Sequence, residues 1–358
     1  MSQNLQNKQN IRRVILLLIS AILLASCEKE IEFKGEQIDP KLVINSIVEP
    51  GQPVKAYISK SIFFLDNDSN MQAPDDVVAT LYVNGNRISG LTRQPDTVWT
   101  GYEYVDMDSV KPIYKIVPAF VSGYCPNEGD VVKITASANG FDDVEATTSP
   151  LPNAVACSVT DSKISYWESY YSTNYDEFGN ETDSTFHIYC EMELTIEITD
   201  PNPGQTDFFR LRAKSGSYDD ADMNYLSYFA QYDDPVFNPL GISDNDYVDF
   251  SDFNISPQGV FTDLLFDGKT YQIKMPFNVS MNKNEGADPD FFRIVLVMEH
   301  LGKEYYNYLN TCEQGSEIDQ FFAEPVQTYT NVNGGYGIVA AHTVDTVWME
   351  LPLETNLP

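Results

Sequence analysis

The sequence predicts a mainly β protein of two β-sandwich-like domains, the N-terminal one immunoglobulin-like, with one short helix near the C-terminus. Three observations predict it. Short runs with strand-type alternation recur between turn residues from Lys41 onward. The chain carries 22 Tyr and 20 Phe, rings that suit a pleated, half-buried surface. Only one segment keeps a helical spacing of apolar residues.

The first strand signal is Leu42-Val43-Ile44-Asn45-Ser46-Ile47-Val48, broken by Pro50-Gly51 and followed by a second run over 54–62. Thr80-Leu81-Tyr82-Val83 meets Asn84-Gly85, a dipeptide that accepts positive φ at both turn positions, and Arg87-Ile88 returns on the far side. The run 130–136 reaches Asn139-Gly140 and returns at Val144-Glu145-Ala146-Thr147. About seven strands over 41–148 match what an immunoglobulin-like sandwich needs. Ser149-Pro150-Leu151-Pro152 then stops the last strand, since proline has no N–H to give a ladder. The domain boundary is placed there, at 149–152, with a β-rich C-terminal domain over 153–358.

In that second part, strand-type runs at 156–167 and 186–199 flank an acidic, tyrosine-rich stretch at 168–184 that reads as a long loop. Trp167, Tyr170, Tyr171 and Tyr175 are its candidate ligand contacts, because clustered rings supply stacking area at low entropic cost. Their alternation fits ordinary strand residues equally well. Further strands are expected at 208–213, 271–279, 292–299 and 338–351, with a turn at 263–268. The helix is expected at Lys303–Glu313, where Tyr305, Tyr308, Leu309 and Cys312 share one face.

The N-terminus carries an export signal. Lys8, Arg12 and Arg13 precede an apolar run over 14–24, interrupted only by Ser20, which ends in Leu24-Ala25-Ser26-Cys27. That ending matches a lipobox, cut just before the cysteine, so 1–26 reads as a signal peptide and Cys27 as the acylated first residue of the mature chain. The apolar stretch of about 12 residues is too short to span a bilayer, which takes about 20. Residues 27–40 read as an acidic tether. Its opening Glu28, Lys29, Glu30 and Glu32 resemble the acidic signal by which Bacteroidota send lipoproteins to the outer face of the outer membrane.

Without residues 1–26 the chain keeps 19 basic against 53 acidic residues, a net charge of −34. Such a surface repels phosphate backbones, which argues against nucleic-acid binding. Besides Cys27 there are Cys125, Cys157, Cys190 and Cys312, and four cysteines allow three pairings. Cys157 and Cys190 fall in neighbouring strand candidates and are the first candidates for a bridge; free, buried cysteines are the equal alternative.

No catalytic residue is assigned, since the sequence has no Gly-x-Ser-x-Gly elbow, no His-Glu-x-x-His and no P-loop. His187, His300 and His342 stand far apart, outside any metal-ligand frame. Asp66-Asn67-Asp68-Ser69-Asn70 begins like a calcium loop but has Met71 at the turn and Val77 where a bidentate glutamate belongs. Asp244, Asp246, Asp249 and Asp252 have the wrong spacing. No cofactor and no metal site are therefore assigned, although weak calcium binding by oxygen ligands from separate loops would leave no sequence signature.

Several segments together carry a family resemblance. They are Lys41-Leu42-Val43-Ile44, then Phe261-Thr262-Asp263-Leu264-Leu265-Phe266-Asp267-Gly268-Lys269-Thr270-Tyr271, and the closing Phe322-Ala323-Glu324-Pro325-Val326, Asn331-Val332 and Gly334-Gly335-Tyr336-Gly337-Ile338. With the lipobox cysteine and its acidic follow-on, they resemble the Bacteroidota lipoproteins grouped as domain of unknown function 4249. One departure is the stretch Val339-Ala340-Ala341-His342, where the family pattern continues with an aromatic residue. The resemblance implies an accessory role beside a TonB-dependent nutrient transporter; with the lipobox, the acidic follow-on and the lack of catalytic motifs, the reading is a lipid-anchored, non-enzymatic partner of such a transporter at the extracellular face of the outer membrane. A surface adhesin or scaffold gripping glycan or protein through aromatic loops is the alternative.

Overall fold

The computed structural model describes residues 39–62, 72–106, 109–175, 178–179, 181–216, 224–225, 234–237, 259–284, 291–313 and 328–352. The protein is mainly β, with one helix near the C-terminus. In chain order the strands are β1 (Leu42–Val48), β2 (Lys55–Lys60), β3 (Val78–Val83), β4 (Asn86–Asp106), β5 (Ser109–Val121), β6 (Val132–Ser137) and β7 (Val144–Thr147). They continue with β8 (Cys157–Tyr175), β9 (Glu181–Thr199), β10 (Phe208–Gly216), β11 (Asn224–Tyr225), β12 (Val260–Thr262), β13 (Thr270–Asn284), β14 (Phe291–Leu301) and β15 (Tyr336–Pro352). Helix α1 (Lys303–Glu313) links β14 towards β15, and a single 3-10 turn at Asp263–Leu265 follows β12. Among the described residues, no helix is long and apolar enough to cross a membrane.

The seven strands expected before residue 148 are β1 to β7. Alternation builds their core: Leu42, Ile44 and Val48 of β1, Ala79, Leu81 and Val83 of β3, and Val132, Ile134 and Ala136 of β6 are all buried. Asn84 and Gly85 take φ of 52° and 79°, the mirror-image turn their sequence predicts between β3 and β4.

Hydrogen bonding runs continuously through β11-β10-β14-β15-β1-β2-β5-β4-β3-β6-β7, with β12 beside β10. That sheet doubles back on itself, so β1, β2 and β15 share one apolar core with β3, β6 and β7. A separate sheet, β13-β9-β8, covers β10, β14 and β15 over a second core. The result is sandwich-like, two sheet faces closing on interdigitated side chains. Leu151 belongs to the first core and Val155 to the second, so the proline-containing stretch 149–152 passes between them.

Strand β15 serves both cores. Its first part pairs in parallel with β1, from Val43 opposite Tyr336 to Val48 opposite Ala341. Its remainder pairs antiparallel with β14, from His342 opposite Leu301 to Pro352 opposite Phe291. Close approach to β1 demands glycine: Gly337 has φ of +99°, and a Cβ there would run into the Ile44 carbonyl. Just ahead of β15, Asn331 holds the strand down by donating from Nδ2 to Val339 O (2.7 Å) and Thr147 O (3.0 Å) while accepting from Val339 N (3.0 Å).

One expected loop is strand instead. Residues 168–184 lie mostly within β8 and β9, which pair from Cys157 opposite Ile198 out to Tyr175 opposite Glu181. The far part of β8 is largely exposed on both faces, so it lacks the apolar alternation that marks a half-buried strand. Helix α1 forms where expected, and Leu309 is buried beside Val260 and Leu301, with Tyr305 and Tyr306 packed against them. Cys312, expected on that face, is exposed.

Gly337→Ala should therefore lower unfolding stability by about 2–4 kcal/mol, from backbone strain and overpacking combined. Gly140→Ala, at φ of +83° with open space around it, should cost about 1 kcal/mol. Urea midpoints measure both, and equal losses would contradict the tight β1–β15 approach.

Candidate functional site

Strand β9 sets the face on which the aromatic residues stand. Cys190, Met192, Leu194, Ile196 and Ile198 point into the second core, which leaves Glu191, Glu193 and Glu197 on the outward side. Rings from β8 and β9 join them there. Tyr170 stacks on His187 directly across the ladder, with ring centres 4.7 Å apart and planes 17° apart. His187 Nε2 lies 2.6 Å from Ser172 Oγ. Tyr166 and Tyr189 meet edge to face at 5.9 Å. Their hydroxyls donate to Glu168 (2.9 Å) and Glu191 (3.1 Å), and those bonds raise both phenol pKa values. This face offers stacking area bordered by carboxylate acceptors, fixed by cross-strand pairs.

Tyr170 and Tyr171 are exposed, at 51% and 72%, as are Tyr175 and Phe178. The four candidate contacts nevertheless do not make one surface. Trp167 packs against the second core, one residue out of phase with Tyr166 and Tyr170. Tyr166, His187 and Tyr189 stand within the two expected strand runs, and what the sequence does not show is the register that sets Tyr170 opposite His187 and Glu168 opposite Tyr189; the spacing 166, 168, 170, 172 is the signal that keeps the β8 members on one side of a strand.

A second cluster forms where the loop after β9 meets the turn after β12. Asp200, Asp263 and Asp267 each bring one carboxylate oxygen to within 4.8 Å of the others. The segments hold each other through glycine N–H groups, Gly204 donating to Asp267 Oδ1 (2.6 Å) and Gly268 to Asp200 Oδ2 (2.5 Å). Beside them, both Asp207 oxygens accept from Asn202 Nδ2, at 3.1 and 2.9 Å. His300 donates from Nδ1 to the Asn153 carbonyl (2.8 Å) and brings Nε2 to 3.4 Å from Asp207. Asp263 is 2% exposed, and its Oδ2 has no hydrogen-bond partner. Burial pushes its carboxyl pKa up, and the neighbouring Asp207, Asp200 and Asp267 add to that against a favourable Asp207 N–H.

Asp263, Asp267 and Gly268 belong to the 261–271 segment on which the family resemblance rests. The family model described as Domain of unknown function (DUF4249) matches residues 28–347. The chain belongs to that family. Among curated proteins, none matches it. In this DUF4249 chain, Gly334, Gly335 and Gly337 of the closing motif lie against backbone, Gly334 near Asp143 O, Gly335 near Leu42 O and Gly337 near Ile44 O.

The departure His342 also gains a place. It lies 3.4 Å by Nδ1 from Glu299 Oε1, with its ring edge on Tyr305. Glu299 is 2% exposed and faces Arg212 at 2.8 Å and Arg210 at 3.6 Å. Burial alone would raise the Glu299 pKa; His342, Arg212 and Arg210 outweigh it and hold the carboxyl below its ordinary range.

Cys157 and Cys190 are not bridged, contrary to the first expectation. The register sets Cys157 opposite Ile198, eight residues along β9 from Cys190. That separation is about 26 Å at 3.3 Å per residue, far beyond disulfide reach. Both thiols are buried and free, and burial pushes their pKa values up to about 12 and about 11. Leu24, Ala25, Ser26, Cys27, Glu28, Lys29, Glu30 and Glu32 lie outside the described residues, as do both sequence-level calcium candidates, 66–70 and 244–252.

Glu299→Gln should cost about 3 kcal/mol at pH 7, because it leaves two guanidinium groups facing a neutral partner. The sign of the linkage follows from the lowered pKa. Wild-type stability from this group is full above the unfolded carboxyl value near 4.5 and is lost as pH falls through the lower folded value. The gap between wild type and variant in urea unfolding should therefore close towards pH 3.

Proposed function

We propose that this DUF4249 chain is a lipid-anchored outer-membrane lipoprotein of the extracellular face, non-enzymatic, and a ligand-binding or accessory partner of a TonB-dependent nutrient transporter. The observation that carries the binding role is the outward face of β8 and β9, where Tyr166, Tyr170 and Tyr189 stand beside Glu168 and Glu191 on fixed strands. Exposed rings held by a ladder supply contact area with little ordering cost on association. The anchor rests on Leu24-Ala25-Ser26-Cys27, and the family match begins at residue 28, directly after that cysteine. A net charge of −34 without residues 1–26 suits a protein that must stay soluble while tethered beside a membrane.

The same face supports a second reading, an adhesin or scaffold that grips glycan or protein independently of a transporter.

Cys27→Ala should abolish incorporation of labelled palmitate and move the protein out of the membrane fraction. Retention of label would place the lipid elsewhere. A C-terminally tagged form purified in mild detergent should bring down a TonB-dependent barrel, identified by mass spectrometry. Tyr166→Ala combined with Tyr170→Ala should reduce that recovery at least tenfold, while the loss of two exposed cross-strand ring pairs lowers the melting temperature by only a few degrees and leaves unfolding cooperative. Recovery of the protein alone in every detergent would overturn the transporter reading in favour of the independent binder.

A further inference from the structure

The Asp200, Asp263 and Asp267 cluster is built differently from an ordinary acidic surface. Among the described residues, no Lys or Arg is ion-paired with any of the three. Asp207, the nearest further acid, is already engaged by Asn202 and His300. What points to a ligand is Asp263: a carboxylate 2% exposed, set among two others, with one oxygen left without a hydrogen-bond partner. Buried polar atoms are nearly always satisfied, and an orphaned carboxylate oxygen among other carboxylates is placed to receive a cation. Every donor is a hard oxygen, which selects an alkaline-earth ion over zinc or copper. Exposed Asp267 leaves the cluster open to solvent, so water can complete the six to eight ligands that calcium takes.

We propose that Asp200, Asp263 and Asp267 form a calcium site that pins the loop joining β9 to β10 against the turn joining β12 to β13. Those connections lead from the β13-β9-β8 sheet to β10 and from β12 back to that sheet. A cation there bonds the two faces of the second sandwich at one end. The site does not depend on the transporter reading, since it requires only millimolar calcium outside the chain.

The test uses the full-length protein in detergent, stripped with EDTA, titrated with CaCl2 by calorimetry and melted with and without calcium. The expected dissociation constant is about 0.1–1 mM, the range of extracellular modules, with a rise in melting temperature of several degrees at about 5 mM. Asp267→Asn, at an exposed position where the amide oxygen can still accept from Gly204 N, should weaken binding at least tenfold. Asp263→Asn should abolish the calcium-dependent shift while still unfolding cooperatively without calcium, because its amide carries no charge to bury. Asp161→Asn, on β8 away from the cluster, should bind as wild type does. No heat and no shift at about 5 mM calcium would overturn the proposal, as would binding that survives both Asp263→Asn and Asp267→Asn. An equal shift with MgCl2 would overturn the assignment to calcium.

Discussion

The parallel pairing of β1 with β15 is the constraint on which the rest of the architecture depends. Strand β1 lies between β2 and β15, so the first core is closed by Val332, Val339 and Ala341, residues almost 300 positions from Leu42. Strand β15 then passes to β14 and supplies Val347 and Met349 to the second core. Neither core is complete without β15. A parallel pair needs a crossover, and here the crossover is nearly the whole chain. Loop closure over that distance must precede the contacts that reward it, which makes this a fold of high contact order.

Much of this was legible locally and little of it globally. Strands β1, β3 and β6, the Asn84-Gly85 turn and helix α1 follow from alternation, turn chemistry and helical spacing, all of which act within a few residues. Partner choice does not. The pattern Val43-Ile44-Asn45 says that one side of a strand is buried, and nothing in it says that Tyr336 to Ala341 will lie alongside. Gly334, Gly335 and Gly337 stood out as a motif, yet their reason appears only when the Leu42 and Ile44 carbonyls come against them. The far part of β8 failed for the opposite reason: with water on both sides, its alternation carries no apolar signal. The three clustered aspartates come from positions 200, 263 and 267, and no spacing rule connects the first to the others.

Two buried acids show how differently the fold treats charge. Glu299 sits where β15 passes from one partner to the other, opposite Val344 in the ladder and one residue from the His300 and Thr343 pair. Arg210 and Arg212 reach it from β10, and His342 reaches it from β15, so its ionisation is favoured and the junction of three strands is fixed. Asp263 has no such company. Like charges about 4.8 Å apart repel by about 3.5 kcal/mol per pair at an effective dielectric of 20. The energetic contrast between the sites is the difference between a charge that the chain itself matches and one whose ionisation burial and the neighbouring acids oppose.

The aromatic face gains its character from being strand. A tyrosine-rich loop of 17 residues over 168–184 would have to be ordered on each encounter, at roughly 1–2 kcal/mol per residue of backbone fixed. In β8 and β9 that ordering is supplied by folding, through a ladder that keeps Tyr170 on His187 and Tyr166 against Tyr189. The second core supports the ladder from behind: Trp167 packs inward from the strand that carries Tyr166 and Tyr170 outward, and Cys190 packs inward beside Tyr189 and Glu191. Packing Trp167 partly against the second core, although it was first expected at the binding surface, leaves Tyr166 and Tyr170 on the opposite, outward side of β8.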